Sequence, residues 1–527
     1  MSRLHKAARA TAVVQAFDVA ARFLSLVTVP LYLKWLGQER YGVLLTGLSF
    51  GGYLTFSDAG LSWSSMLLIA QASGRNDRKT ISRIFRNSFP LAGCSVLLVA
   101  LITTISASLI TGTKHFTWLF EDPETVGLLI AVASSVACTL FLSPFYNLFI
   151  GMQEAHLAAL YQGIGRVVGT VASVAVSATG ASLGLVFGSN VLCALGAGLV
   201  AAFACANRYP WAFERGSFWD TSLVKQQLRT GAKSFAVQVG GVIRNTAPVL
   251  AISSVAGPQF VPYLSIPLTL LNAPLGGVNS FSASLQPGYG EAMGNNETAW
   301  VATTSQRILR QVLLMVGLLA SGFWLLAGPF VRYWTGGLIE LQPAVLGSAL
   351  AIAVAGTVLG VFRFALTGIN RHRTAGGSEL AFGCLSMVLA VVAVRQFGFE
   401  WVGAGVLFAA LLTSAWILPR ELCRAVGKPG PWPSLNFLLR WAASVFIAGG
   451  TGWIALRIAG ILPNWLALGV TGIVVCVVYV AVVRAFLPGE WNSIVLLLKR
   501  FVPKWVGGFF RSDGRSHCIA PQTPEGR

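Results

Sequence analysis

Apolar runs separated by short polar breaks follow one another along most of this chain. A helix needs about 20 predominantly apolar residues to cross the ~30 Å hydrocarbon core of a bilayer, and runs of that length fall at about fourteen places. Six lie near 10–34, 41–70, 88–111, 125–149, 157–179 and 182–206. Six more lie near 233–255, 260–285, 308–331, 343–368, 376–397 and 401–419, and two follow near 437–459 and 464–486. The pattern predicts an all-α polytopic membrane protein of about 14 transmembrane helices.

The polar breaks themselves repeat. Gln71-Ala72-Ser73-Gly74-Arg75-Asn76-Asp77 returns 220 residues later as Glu291-Ala292-Met293-Gly294-Asn295-Asn296-Glu297. The same offset aligns Leu36-Gly37 with Ala256-Gly257, and an offset of 217 aligns Gly151-Met152-Gln153 with Gly368-Ile369-Asn370. Internal duplication in an apolar chain is how many transporters are built, with two halves rocking about a central site. Six spans per half is an even number, so both copies enter the membrane with the same orientation and their pseudo-two-fold axis runs along the membrane normal. The expected units are pseudo-symmetric six-helix bundles over 1–206 and 233–432, an amphipathic cytoplasmic connector over 207–232, two additional spans over 433–490 and a basic tail over 491–527. The additional spans have no counterpart in the first copy, so they should pack at the periphery, where they would form a groove for a lipid tail.

Composition agrees with this placement: 55% of residues are hydrophobic, 11% are charged, and the mean hydropathy is +0.68. Soluble domains carry about 25% charged residues. A net charge of +19 invites a nucleic-acid reading, but the charges alternate with the spans. Of the 38 Lys and Arg residues, only Lys34, Arg40, Lys114, Arg332, Arg395 and Arg457 fall in one set of loops, and Arg22, Arg244 and Arg363 fall inside spans. The rest crowd the termini and the opposite loops, as the positive-inside rule requires. That sorting places both termini in the cytoplasm and leaves no role for nucleic acid. Asp18 and Arg22 interrupt the first apolar run and no small-residue cleavage site follows, so it reads as an uncleaved helix rather than a signal peptide.

Several chemistries are excluded by what is missing. No phosphate-cradling Gly-x-x-x-x-Gly-Lys-Ser/Thr loop or dinucleotide fingerprint occurs, and no outer loop exceeds about 15 residues, too short for a sugar-transferring domain. The five histidines and eight cysteines are scattered without metal-ligand or disulfide spacing. No enzyme activity and no cofactor are expected.

Charges at membrane depth are the candidate functional groups, because an Arg at the centre of a span costs about 2.5–3.5 kcal/mol on insertion scales. Arg22 lies near the middle of the first span with Asp18 one turn before it, a spacing that suits both a self-neutralising pair and a lumen-facing one. Arg244 lies near the centre of the seventh span with no acid in that span, so it should face a hydrated cavity or a partner from another helix. Arg363 is about five residues from the end of its span, within reach of the headgroups. The second span is longer than the bilayer core, and Ser57-Asp58-Ala59-Gly60 is the expected bend, placing Asp58 at membrane depth. Arg22, Arg244, Arg363, Asp18 and Asp58 are therefore the substrate-binding candidates.

The stretch Pro30-Leu31-Tyr32-Leu33-Lys34-Trp35-Leu36-Gly37-Gln38-Glu39-Arg40-Tyr41-Gly42, followed by Ser57-Asp58-Ala59-Gly60-Leu61, resembles the opening of the polysaccharide transporters known as O-antigen flippases. These belong to the multidrug, oligosaccharidyl-lipid and polysaccharide exporter superfamily. The motifs are concentrated in the first 90 residues, and Asp58-Ala59-Gly60 stands where the family usually has Asp-Leu-Gly. The resemblance implies a V-shaped pair of six-helix bundles that carries an undecaprenyl-pyrophosphate-linked oligosaccharide between leaflets of a bacterial inner membrane by alternating access. Its partners would be the lipid-linked oligosaccharide, membrane lipids, and a polysaccharide polymerase and chain-length regulator. The alternative is an ion-coupled exporter of small amphipathic or cationic compounds, whose lumen should be acidic; a channel or membrane scaffold is a third.

Overall fold

The computed structural model describes residues 3–110, 122–214, 219–427, 433–459 and 464–492; within it the side chains of 3–15, Asp18, 106–110, Lys233, Ser234 and Asn464 are not described. The basic tail expected over 491–527 therefore lies almost wholly outside the described residues. Among the described residues every regular element is helical.

Among the described residues thirteen helices are long and apolar enough to cross a membrane, against about fourteen expected. The difference lies at the start, where Val19–Asp58 forms one continuous run of 40 residues. Such a run is about 60 Å long, two core thicknesses. Helix α1 (Arg3–Leu54) leaves helical geometry at Gly37 (φ 78°, ψ 172°), so this run is two passes joined at a sharp turn. The second pass continues through a 3-10 turn at Thr55–Asp58, then through left-handed Ala59 (φ 47°) and Gly60 (φ 75°), into α2 (Leu61–Gly74). The expected bend is present.

Helices α3 (Arg78–Ile110), α4 (Pro123–Gly151), α5 (Ala155–Ser177) and α6 (Leu183–Arg208) complete the first set. The second set comprises α7 (Thr221–Val255), α8 (Val261–Ser284), α9 (Gln286–Gly294), α10 (Thr298–Trp334), α11 (Pro343–Gly368), α12 (His372–Phe397), α13 (Val402–Leu412) and α14 (Ser414–Val426). Helices α15 (Leu435–Ile458) and α16 (Asn464–Phe486) follow.

Each sequence echo coincides with a matched backbone device. Asn76 and Asn296 are both left-handed (φ 56° and 60°), as are Gln153 and Asn370 (φ 62° and 64°), and Gly37 and Gly257 turn the chain at φ 78° and 109°. Around both asparagines the following N–H returns to the carbonyl five residues back, Asp77 to Ala72 and Glu297 to Ala292. That closure is a left-handed helix cap, which only Gly and a few polar residues adopt readily. Neighbours match as well: α1 packs on α5 as α7 packs on α12, and α4 on α6 as α11 on α13.

Two large apolar cores are local, one over residues 68–223 and one over 251–487, whereas a third joins the first set of helices to the second. That third core brings Leu36, Leu44, Leu128 and Leu183 against Ile266, Val331 and Ile339, near the Gly37 turn. Gln38 also donates across it to the Gln259 carbonyl at 2.8 Å.

Parts of the segment expected as an amphipathic cytoplasmic connector over 207–232 dock on protein, and from Thr221 the chain is already in α7. Tyr209, Ala212 and Leu223 are buried in the first core. Arg208 Nε and the Tyr209 hydroxyl both donate to Glu154 Oε2 at 2.6 Å, Arg83 pairs with Asp220, and Asn87 Nδ2 donates to Gln227 Oε1 at 2.6 Å. Aromatic and basic residues suit a headgroup layer, but here Glu154, just before α5, accepts from Arg208 and Tyr209, while Arg83 and Asn87 of α3 hold Asp220 and Gln227.

Helices α15 and α16 lie against α10. Trp441 Nε1 donates to the Leu313 carbonyl at 2.7 Å and the Tyr479 hydroxyl to the Leu314 carbonyl at 2.6 Å. Arg310 pairs with Glu490 at 2.6 Å.

Candidate functional site

At 1.5 Å per residue, Arg22 and Arg244 both lie about 20 Å along their helices from the turns at Gly37 and Gly257. Equivalent in depth, they take different partners. Arg22 crosses to α8, where Nη1 donates to the Ala273 carbonyl at 3.3 Å. Its guanidinium fits because Gly276 carries no side chain on that face: a Cβ there would sit 2.7 Å from Nη2, whereas one on Gly277 would meet Nη1 at an ordinary 3.6 Å. The Gly276-Gly277 step was legible in the sequence as a small-residue pair in mid-span, but nothing marked it as the seat of a cation. Asp18, one turn before Arg22, has no described side chain.

Arg244 turns into the second set of helices. Its Nε lies 3.4 Å from Glu379 Oε2, and Arg363 Nη1 lies 3.2 Å from Glu379 Oε1. One carboxylate, 1% exposed, thus bridges two guanidiniums that are 12% and 15% exposed. Arg363 does not reach for the headgroups. Helices α7 and α12 approach closely through Ala236, Gly240, Gly376 and Gly383, and a Cβ on Gly383 would come within 2.7 Å of the Gly240 carbonyl. Small residues that let backbones approach are the usual device for apposing helices in membranes, and here they bring Arg244 and Glu379 within reach. Rings flank the cations: Phe382 lies 5.7 Å from Arg244 Cζ and Phe364 4.9 Å from Arg363 Cζ. Sequence reasoning missed Glu379, although a lone acid in the span 376–397 is the same signal as a lone Arg.

Asp58 is buried at the start of α2. Its carboxylate accepts from Ser62 N at 3.2 Å and from Ser62 Oγ at 2.7 Å, which is a helix-capping arrangement. It lines a small cavity with Ser65, Ser88, Ser143 and Asn147, separate from the arginines. Among the described residues no group of three or more His, Cys, Asp or Glu could hold a metal ion.

A larger apolar groove of about 550 Å³ runs between α8, α10 and α16. Phe281, Val312, Met315, Leu318, Val480 and Val483 are among its walls, and the packing of the last helix against α10 creates it. Gly277 is one of its lining residues and is also the residue beneath Arg22. A guanidinium and an apolar groove therefore lie back to back across one glycine.

Comparison with known proteins bears on the fold. The chain resembles the lipid II flippase MurJ in an inward closed conformation, with TM-score 0.63 and 13% identity over 92% of this chain and 99% of that one. It also resembles an inward-facing multidrug resistance MATE family transporter of the MOP superfamily, with TM-score 0.57 and 17% identity over 80% of this chain and 99% of that one. A Vibrio cholerae MATE transporter, VcmN, gives TM-score 0.57 and 15% identity over 80% and 98%. No curated protein sequence matches. The description "Polysaccharide biosynthesis protein" matches residues 7–293, more than half of the sequence. With the transporter fold and the matched repeats already in place, that match identifies the chain as a member of the polysaccharide biosynthesis protein family.

Proposed function

We propose that this chain is a flippase that moves an undecaprenyl-pyrophosphate-linked oligosaccharide across the bacterial inner membrane by alternating access, with both termini in the cytoplasm. The observation that carries the reading is the junction at Gly277, where an apolar groove and a guanidinium meet. A polyprenyl phosphate has the same two parts, an apolar tail joined to an anion. A pyrophosphate-sugar headgroup cannot cross hydrocarbon unaided, since desolvating an isolated ionic group costs tens of kcal/mol in the Born limit. Arg22 supplies a planar fork suited to phosphate oxygens, and the Arg244–Glu379–Arg363 triad supplies a net positive charge at similar depth. The groove between α8, α10 and α16 would take the tail. Residues 1–206 and 233–432 would be the two moving bundles.

The MATE neighbours favour a second reading, export of a small amphipathic or cationic compound. Asp58 is the group such a substrate would need, but it is engaged by Ser62 and lies apart from the groove. One experiment separates the two. Purified protein in vesicles is supplied with a fluorescent polyprenyl-pyrophosphate glycan on one leaflet, or with an organic cation on one side. Movement of the glycan lipid, lost in Arg22→Ala, supports the flippase; movement of the cation alone overturns it.

A further inference from the structure

Glu379 is unusual among the buried acids because it serves two cations and completes a hydrogen bond to neither. Both of its oxygens lack a hydrogen-bond partner, as does Arg244 Nε, so the contacts at 3.2 and 3.4 Å are ion contacts of imperfect geometry. The guanidinium edges turned away from Glu379 share a direction. Arg244 Nη1 would lie 2.9 Å from a Cβ on Gly356, and Arg363 Nη2 would lie 3.8 Å from one on Gly360. These glycines are one turn apart on α11, and the second also faces Asn279 Oδ1 of α8, 3.3 Å from the same Cβ position. Two guanidinium edges and an amide thus converge on the gap that Gly356 and Gly360 leave in α11, with the Phe364 ring beside the second glycine.

Left alone, two arginines so placed would hold a phosphate-bearing group too well for a carrier, because transport requires binding strong enough to enter and weak enough to leave. We propose that Glu379 is a built-in counter-ion that weakens phosphate binding at Arg244 and Arg363 so that the headgroup is released. It leaves the site with one net positive charge instead of two, and it fixes which edges of the guanidiniums face the gap. Glu379 is thus a positioning and attenuating residue that does not itself touch the ligand. This inference rests on the reading of Arg244 and Arg363 as headgroup contacts.

The test is titration of the full chain, purified in zwitterionic nanodiscs at low salt, with inorganic pyrophosphate as probe and calorimetry as readout. Wild type is expected to bind weakly and Glu379→Gln about tenfold more tightly, since one charge within a few ångströms is removed. Arg244→Gln leaves a balanced Arg363–Glu379 pair and should bind about tenfold more weakly than wild type. Adding Glu379→Gln to Arg244→Gln should restore binding to near the wild-type level, which a merely structural role of Glu379 would not produce. Should Glu379→Gln alone fail to accumulate, the Arg244→Gln pair decides. Binding by Glu379→Gln no tighter than wild type, or no recovery in the double variant, overturns the proposal. If none of the four proteins binds pyrophosphate, the reading of the arginines as headgroup contacts fails and the inference falls with it.

Discussion

Gly60 and Gly231 bring two helices into backbone contact: a Cβ on Gly60 would lie 2.6 Å from the Gly231 carbonyl oxygen, and one on Gly231 2.8 Å from that of Gly60. Gly60 ends the break in the second pass and Gly231 lies in α7, so this contact joins the two sets of helices away from the Gly37 turn. Overpacking of this kind costs about 1–3 kcal/mol. Gly231→Ala should therefore lower the midpoint of thermal unfolding in detergent. Gly93→Ala in α3, where a Cβ meets nothing within 4 Å, should be neutral or slightly stabilising.

Neighbouring glycines give a finer contrast at the Arg22 seat. Gly276→Ala would push the guanidinium off α8, whereas Gly277→Ala places its methyl at ordinary contact distance from it. Gly276→Ala should accumulate normally and lose most lipid-linked glycan transport, and Gly277→Ala should keep the larger part. Equal loss in both would show that the groove wall matters and the seat does not. Protein level and vesicle transport are measured together.

Arg244 is part of a triad, and this changes what its removal does. A membrane-buried arginine without a partner would insert more easily once replaced, by about 2–3 kcal/mol. Because Glu379 faces it, Arg244→Ala instead forfeits an ion contact, which offsets part of that gain, while Glu379 keeps Arg363. The double variant Arg244→Ala, Arg363→Ala strands a buried carboxylate and should cost about 3–5 kcal/mol. Membrane levels are expected to fall from the single to the double variant, and adding Glu379→Gln to the latter should recover them. Unchanged levels in the double variant would mean that the carboxylate is solvated or protonated.

Acid tolerance of the docked connector follows from its carboxylates. The Ser222 hydroxyl and the Leu223 N–H, with Arg83 beside them, hold the Asp220 carboxyl down to about 2. Burial opposes ionisation of Glu154, but the Arg208 guanidinium and the Tyr209 hydroxyl outweigh it and keep its pKa below the usual range. A depressed carboxylate contributes stability above its unfolded pKa and loses it as pH falls through the folded value. Limited proteolysis between residues 207 and 214 should thus stay slow above pH ~4 and accelerate progressively as pH falls from there toward ~2. In Asp220→Asn, whose amide can still cap α7, the part of the acid response due to Asp220 should vanish.

The repeats were legible because left-handed caps at Asn76 and Asn296 and turns at Gly37 and Gly257 demand particular residue types, which leave a trace at a fixed offset. The bend at Asp58 was legible for a similar reason, being a local conformational requirement. Glu379 and Gly276 were not found, because their roles depend on which helices touch. A lone acid and a glycine pair carry no record of the arginines that meet them. The docking of Tyr209, Ala212 and Leu223 was not legible for the converse reason: the aromatic and basic residues around them suit lipid and protein equally, and only the surface beside α3 and α5 decides.

Trp441 and Tyr479 fasten the last two helices to backbone carbonyls of α10, and all three walls of the groove come from residues after 260. The groove is consequently a passenger on one side of the molecule. If the two sets of helices tilt against each other, its width and depth stay constant while Arg22, carried on α1, slides relative to it. A bound lipid would keep its chain parked in an unchanging slot and swing only its head, so that the work of each cycle is confined to the polar end.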